Sequence, residues 1–206
     1  MCDIQEKLSA FCQSKKINEK NDLTYTWKKQ RNEDVNQTFE VFYNDLHNAS
    51  NTDELQTVIQ KIFDWGGVGS DKLKKYYAEK LFRGDLSFES QQNTPLSSWS
   101  KVLAAYTFKD ATNPKYFIYD SRVAIALNII DKEHKWVLPN AQGYSAIFAL
   151  IKQSQKKSEA KTSYQRYCEA LQEKGGVSLE RKLFMLAKKL TFNCDNWREF
   201  IDFSRA

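Results

Sequence analysis

Turn-forming residues are scarce in this chain, whose 206 residues include only seven glycines and three prolines. A β-sandwich or β-barrel needs a turn about every 8–12 residues, and glycine and proline supply many such turns. The composition therefore argues against these all-β classes and favours helices.

Long apolar runs are also lacking. No stretch approaches the roughly 20 apolar residues that span a bilayer. The N-terminal sequence MCDIQEKLSAF has neither the basic start nor the apolar stretch of a secretory signal. We therefore expect a cytoplasmic protein that has no membrane contact.

The patterns of metal sites and disulfide scaffolds are missing as well. Two histidines, His47 and His134, are too few for a histidine-based metal site, and no C-x-x-C pair occurs. Zinc sites and disulfide scaffolds both need closer cysteine spacing. We predict no metal, no cofactor and reduced thiols at Cys2, Cys12, Cys168 and Cys194.

Aromatic and basic residues, by contrast, are plentiful. Hydrophobic residues make up 41% of the chain and aromatic residues 14%, which is enough for a packed core, and the net charge is +5. A mildly basic protein can bind a polyanion, but solvated helix surfaces explain basic clusters equally well. The two clusters comprise Lys72, Lys74, Lys75, Lys80 and Arg83, and Lys152, Lys156, Lys157, Lys161 and Arg166.

Helical spacing of apolar residues recurs along the chain. Capping residues precede several of these stretches, as at residues 51–54. The pattern predicts an all-α fold in one compact domain over residues 1–206, with a cleft between two helical lobes, and we expect a monomer. The predicted helices span residues 3–14, 23–47, 52–63, 70–82, 97–108, 120–131, 144–156, 162–173, 178–190 and 196–203.

Lys101 and Asp120, nineteen residues apart, carry most of the functional information. A helix of about ten residues advances roughly 15 Å, and the extended residues 115–119 return over a similar distance. Asp120 then starts the next helix. We therefore expect the amine and the carboxylate to share one small volume beside two helix N-termini.

This pair suits the cleavage of an N-glycosidic bond. The reaction passes through an oxocarbenium-like sugar, whose positive charge a carboxylate stabilises. A neutral lysine amine can attack the same carbon and form a Schiff base. We therefore predict catalytic roles for Asp120 and Lys101; the alternatives are a helix N-cap and a phosphate-binding lysine.

The blocks S-x-W-S-K-V-L-A-A-Y and Y-F-I-Y-D-S-R-V-A-I-A-L resemble the helix-hairpin-helix DNA glycosylase signature. The resemblance covers about residues 95–130 and implies an enzyme that flips a nucleotide out of double-stranded DNA and excises its base. The lysine-to-aspartate spacing is similar to that of the 8-oxoguanine subfamily. The resemblance implies that Lys101 is the Schiff-base lysine, Asp120 the catalytic aspartate and Arg122 a contact to the DNA backbone.

The chain departs from the family pattern in its hairpin. Ser97 and Trp99 stand where the family has glycines, and the four-cysteine iron–sulfur cluster of the endonuclease III branch is missing. Serine hydroxyls can replace backbone N–H groups as phosphate donors, which predicts DNA-backbone contacts at Ser97, Ser98 and Ser100. The aromatic residues predicted to form the base pocket are Trp65, Trp99, Tyr106 and Tyr144.

A second glycine-rich stretch, W-G-G-V-G-S-D at residues 65–71, resembles the hairpin turn more closely. It lacks a catalytic partner, because Gln91 stands nineteen residues beyond Lys72. It is either a phosphate-binding turn or a glycine cap at a helix C-terminus, and we favour the cap.

Several functions are compatible with these features. Small size and divergence favour a nucleoid-associated DNA glycosylase for a bulky modified base, such as one of phage DNA, acting in antiviral defence. The lysine spacing instead favours an oxidised-purine repair glycosylase with lyase activity. A non-catalytic helical DNA-binding module and a helical protein-interaction subunit are the alternatives.

Overall fold

In the computed structural model, the described residues are 3–25, 32–69, 71–87, 96–110, 115–134, 136, 137, 139, 157–173 and 176–192. These residues contain nine helices and no strand, which confirms the predicted all-α class. In chain order the helices are α1 (Ile4–Ser14), α2 (Glu19–Asp22), α3 (Asn32–Asn48), α4 (Thr52–Gly66), α5 (Asp71–Phe82), α6 (Leu96–Tyr106), α7 (Ser121–Ile130), α8 (Lys157–Glu173) and α9 (Gly176–Phe192).

Reciprocal side-chain bonds fix the start of α4. Asn51 accepts hydrogen bonds from two N–H groups in the first turn. Glu54 Oε2 in turn accepts one from Ser50 N–H at 2.7 Å. These bonds satisfy donors that the first turn of a helix leaves without intrahelical partners, so the sequence signal at residues 51–54 is a true helix start.

The helices α4 and α5 form a helical hairpin, and α3 and α6 pack against α4. Gly67, at φ 67°, ends α4 in the left-handed conformation, and Val68 N–H donates to Phe63 O at 2.9 Å. Glycine adopts this conformation without steric cost. The prediction of a C-terminal cap within residues 65–71 is confirmed.

A second set of contacts involves α7, which packs against α9 and α1, while α9 also contacts α8 and α2. The predicted extended segment, residues 115–119, is non-helical in the structure. The buried apolar side chains form one continuous cluster over both sets of helices. The two lobes and their cleft stay a prediction.

Polar bonds tie α1 to the end of α7. Lys7 Nζ lies 2.6 Å from Asp131 Oδ1 and 2.7 Å from Glu133 Oε2. Asp131 is only 1% exposed, and its other oxygen accepts from Trp136 Nε1 at 3.0 Å and contacts His134 Nδ1 at 2.9 Å. We call Lys7, Asp131, Glu133, His134 and Trp136 the α1 clamp.

The predicted helix 23–47 is wrong at its start, because α3 begins at Asn32 and residues 23–25 are non-helical. The short α2 precedes it, where Asn18 caps the helix and Asp22 Oδ2 accepts from Asn18 N–H at 2.8 Å. This closed turn ends the local helix. The predicted helices 144–156 and 196–203 lie outside the described residues.

Within the part of the chain that the structure describes, no helix is long and apolar enough to cross a membrane.

Candidate active site

Lys101 lies in the middle of α6 and is only 5% exposed. Its side chain runs back along the helix, as long helical side chains do. Nζ donates to Ser97 O at 3.0 Å and to Ser97 Oγ at 2.9 Å. The amine is therefore held at the first turn of α6, near the predicted helix N-terminus.

Gly66, the last residue of α4, packs directly on the aliphatic part of Lys101. A Cβ atom at this glycine would lie 2.6 Å from Lys101 Cδ and 3.0 Å from Cε. Real Cβ atoms do not approach other carbons so closely, so a larger residue would displace the lysine. The glycine-rich stretch thus forms one wall of the site as well as capping α4.

Asp120 is the N-cap of α7. Its Oδ1 accepts from Arg122 N–H at 2.9 Å and from Val123 N–H at 3.0 Å. No described residue donates a hydrogen bond to Oδ2. One carboxylate oxygen therefore anchors the residue, while the other remains available to a ligand.

The extended segment that carries Asp120 is fixed by side chains from three helices. Ile118 N–H donates to Glu180 Oε2 at 2.7 Å, and Tyr167 OH donates to Ile118 O at 3.2 Å. Tyr119 N–H donates to Ser100 Oγ at 3.0 Å. Since Ser100 precedes Lys101, the same bond sets the position of Asp120 relative to the lysine.

A narrow cleft of about 30 Å³ brings the predicted pair together with groups from two further elements. This volume holds about two water molecules. Among the described residues, no carboxylate lies within 4 Å of Lys101 Nζ, so the pair shares the cleft without a direct ion pair. The lining residues are Tyr25, Trp65, Gly66, Lys101, Ile118, Asp120, Val123, Glu180 and Phe184.

Burial and the neighbouring carboxylates shift the pKa of Lys101 in opposite directions. Burial lowers the pKa of Lys101 below its ordinary value, and the positive charge of Arg122 adds to this effect. The negative charges of Asp120 and Glu180 oppose it. Burial raises the pKa of Glu180 to about 7, against the opposing hydrogen bond from Ile118 N–H.

The four predicted DNA-backbone contacts differ in how exposed their side chains are. Ser98 and Ser100 are buried, at 2% and 0% exposed; Ser98 Oγ lies 2.8 Å from Tyr77 OH. Neither hydroxyl is presented to a phosphate, which leaves Ser97 and Arg122 as the predicted DNA-backbone contacts. Arg122 is partly buried, with its guanidinium 5.1 Å from the Phe184 ring centroid.

Of the three predicted base-pocket residues that the structure describes, one lines the cleft. Trp65 does so, whereas Trp99 is 0% exposed and packs on Tyr77 with ring centroids 4.7 Å apart. Tyr106 stacks on His47, at 4.4 Å between ring centroids, and does not line the cleft. Tyr144 lies outside the described residues.

Comparisons of the chain with protein-family models, curated proteins and solved structures find no match.

Sequence reasoning missed Glu180 and Tyr25. Glu180 is on α9, with Val177 three residues before it and Phe184 four residues after it. An acidic residue between two apolar residues at helical spacing lies on the face that packs inward. That pattern was the available signal, but which cleft the face borders depends on a contact between distant parts of the chain.

Proposed function

We propose that this chain is a DNA glycosylase in which Asp120 and Lys101 act on the sugar of a flipped nucleotide. The observation that carries the proposal is the shared cleft, in which a helix-capping carboxylate and a buried amine from different helices converge. A buried lysine is a costly feature of a helix interior, and such groups concentrate at functional sites.

The two groups have complementary parts in the reaction. Asp120 Oδ2 would stabilise the positive charge that develops on the sugar as the N-glycosidic bond breaks. Lys101, whose pKa burial lowers, would supply a neutral amine that attacks C1′ of the sugar. A lysine whose pKa burial lowers loses its proton more readily than an exposed one, which favours a lyase-competent enzyme over one that uses water alone.

The flipped base needs more room than the cleft provides. A cleft of about 30 Å³ admits water, so a base would enter only after Tyr25 and Trp65 move apart. These two aromatic rings would then stack on the base, as in other enzymes that act on extruded nucleotides. The net charge of +5 favours the approach of DNA, with Arg122 beside the cleft as a phosphate contact.

The test is base release measured by mass spectrometry from a panel of DNAs that carry oxidised purines, alkylated bases or phage-type modified bases. Asp120→Asn retains an oxygen that can cap α7, so the variant should fold normally. We expect wild type to release one class of base and Asp120→Asn to lose at least about 100-fold in rate. Asp53→Asn, at an exposed position on α4, is the matched control.

The outcomes separate the candidate functions. Release of a bulky phage-type base supports the defence hypothesis, and release of oxidised guanine alone supports repair. If wild type and Asp120→Asn bind DNA equally and neither releases any base, Asp120 is only a cap and the protein is a binding module.

A further inference from the structure

Glu180 is a third ionisable group in the cleft, contributed by α9. Its Oε2 is fixed by the hydrogen bond from Ile118 N–H at 2.7 Å. No donor among the described residues reaches Oε1. The side chain is therefore immobilised by one oxygen, as Asp120 is, while its second oxygen is available to the cleft.

Charged and titratable groups face Glu180 from several elements. Lys101 belongs to α6, Asp120 caps α7 and Arg181 is the neighbour on α9. Tyr167 and Cys168 of α8 and Tyr25 after α2 are also close enough for electrostatic interaction with it. Those three groups carry no charge near neutral pH, because burial raises their pKa values. The proton balance of the cleft therefore rests on Lys101, Asp120 and Glu180.

We propose that Glu180 is the proton carrier of this site: it takes a proton from Lys101 Nζ after attack and delivers it to O4′ of the sugar. This inference rests on the proposed function, because it assumes that Lys101 attacks a deoxyribose. Asp120 does not share the role, because its task is to stay ionised beside the developing positive charge.

The lone pair of neutral Lys101 Nζ bonds to C1′, and the bond from C1′ to the base breaks with its electron pair on the base, which takes a proton from water. Nζ is now a cationic secondary amine, and the Glu180 carboxylate removes one of its protons through a water molecule in the cleft. The Nζ lone pair then forms the C=N bond as C1′–O4′ breaks, and O4′ takes the proton from Glu180. The products are a protonated Schiff base and an ionised Glu180.

Two features of the cleft suit this role. A group that gains and loses a proton in one cycle works best when its pKa is close to the ambient pH. Burial raises the pKa of Glu180 to about 7, well above the ordinary value of 4.5. The second feature is position: Glu180 lines the same cleft as Lys101, and no donor among the described residues occupies its Oε1.

The test uses a duplex that contains a single abasic site, for which the identity of the base is not needed. On this probe the C1′ hydroxyl takes the place of the base: it receives a proton from solvent and departs as water. Sodium borohydride then reduces the Schiff base to a stable protein–DNA adduct. The variants are Glu180→Gln, which keeps an acceptor for Ile118 N–H but cannot carry a proton, and Glu180→Asp, which keeps the carboxyl group. Glu6→Gln, exposed on α1, is the control, and Lys101→Met checks that the adduct forms at Lys101.

We expect Glu180→Gln to slow adduct formation by about 100-fold or more and to remove the rise in rate near pH 7. Glu180→Asp should retain that rise at a lower rate, which a purely structural role of Glu180 does not predict. Thermal unfolding of each variant checks that the fold is intact.

Three results would overturn the inference: Glu180→Gln trapping within twofold of wild type across the pH range, loss of the pH dependence in Glu180→Asp as well, or equal trapping by Lys101→Met. Base release from the DNA panel is measured separately, so failure of the glycosylase proposal and failure of the Glu180 role give different patterns.

Discussion

Burial of the Lys101 side chain opposes folding, because its amine is removed from water. Transfer of an ammonium group from water to the protein interior is costly, and the side chain meets this cost with two bonds to Ser97 and a lowered pKa. A purely structural position in α6 would hold an apolar residue, as its neighbours Val102 and Leu103 are. The proposed catalytic role gives a reason for a lysine at this position.

Lys101→Met should stabilise the protein at neutral pH by roughly 1 kcal/mol or more, because a side chain of similar length replaces a buried amine. The same change should abolish borohydride trapping on abasic DNA. Urea unfolding measures the first effect. Lys75→Met, exposed on α5, is the control and should leave stability within about 0.5 kcal/mol of wild type. A destabilised Lys101→Met would indicate that the two bonds to Ser97 outweigh the cost of burial.

Gly66→Ala should cost about 1–3 kcal/mol in the free energy of unfolding, since the new Cβ would lie 2.6 Å from Lys101 Cδ. Gly69→Ala is the matched control, because a Cβ there meets no atom within 4 Å. In a Lys101→Ala background the cost of Gly66→Ala should disappear, because the space is then free. Chemical denaturation of the four variants gives the coupling directly; an unchanged cost would show that the clash is not with Lys101.

The sequence was informative about the pairing of Lys101 with Asp120 because both positions belong to one short unit, a helix followed by an extended return. Glu180 could not be assigned in the same way. It comes from α9, 62 residues beyond the Ile118 amide that it binds. Local spacing gives no information on which distant helix closes a cleft.

At the scale of elements, the extended segment 115–120 depends on bonds from outside itself. No described residue pairs with it as a strand. Its backbone groups bond to Glu180, Ser100 and two tyrosines, whose hydroxyls donate to Phe117 O and Ile118 O at 3.2 Å each. Buried backbone groups need such partners. The precision with which Asp120 is placed is therefore supplied by α6, α8 and α9.

Ser100→Ala should lower the free energy of unfolding by about 1–3 kcal/mol, because it leaves the buried Tyr119 N–H without its acceptor. It should also reduce base release, since Asp120 follows Tyr119 directly. Thermal unfolding and the release assay provide the two measurements. Ser14→Ala, whose hydroxyl bonds to Phe11 O at an exposed position, should change neither one appreciably.

Apolar periodicity located most helices correctly, because amphipathic helices bury a continuous stripe. It failed between α2 and α3, where Leu23 and Tyr25 are buried although residues 23–25 are non-helical. These buried apolar residues of a non-helical connection extended the apolar pattern of α3 toward its N-terminus, so the helix was predicted to start too early. The cap on α2, from Asn18 and Asp22, was the local signal that a short helix ends there.

For the whole molecule, the α1 clamp has the largest energetic weight among the ion pairs described above. Lys7 pairs with an Asp131 carboxylate whose side chain is 0% exposed, so loss of one partner leaves a buried polar group. Asp131→Asn should cost about 3 kcal/mol and increase hydrogen exchange in α1. Asp45→Asn, which breaks an exposed pair with Lys61, should cost less than about 1 kcal/mol. Equal effects of the two substitutions would contradict the importance of burial.

The pH dependence of stability follows from Glu180. Its pKa is about 7 in the folded protein and about 4.5 when unfolded, so the folded state binds more protons between these values. Protonation of Glu180 therefore stabilises the folded state. This stabilisation is complete below about pH 4.5 and is lost as the pH rises through about 7. Glu180→Gln should therefore gain on the order of 1–3 kcal/mol relative to wild type between pH 5 and pH 8, measured by urea unfolding at each pH. A constant difference between the two proteins would contradict the raised pKa.

The ties of α1 and α2 also set an order of events during synthesis. Lys7 can pair with Asp131 only after 124 further residues have been synthesised. Glu19 can pair with Lys182 only after 163 further residues. At about 5–20 residues per second, Asp131 is synthesised roughly 6–25 s after Lys7. In the α4–α5 hairpin the two helices that contact each other are neighbours in sequence, so the hairpin can form as soon as both have been synthesised. On the ribosome, the amphipathic α1 therefore exists for this interval without α7, the helix against which it packs in the folded protein, and its apolar residues Ile4 and Leu8 are open to a chaperone.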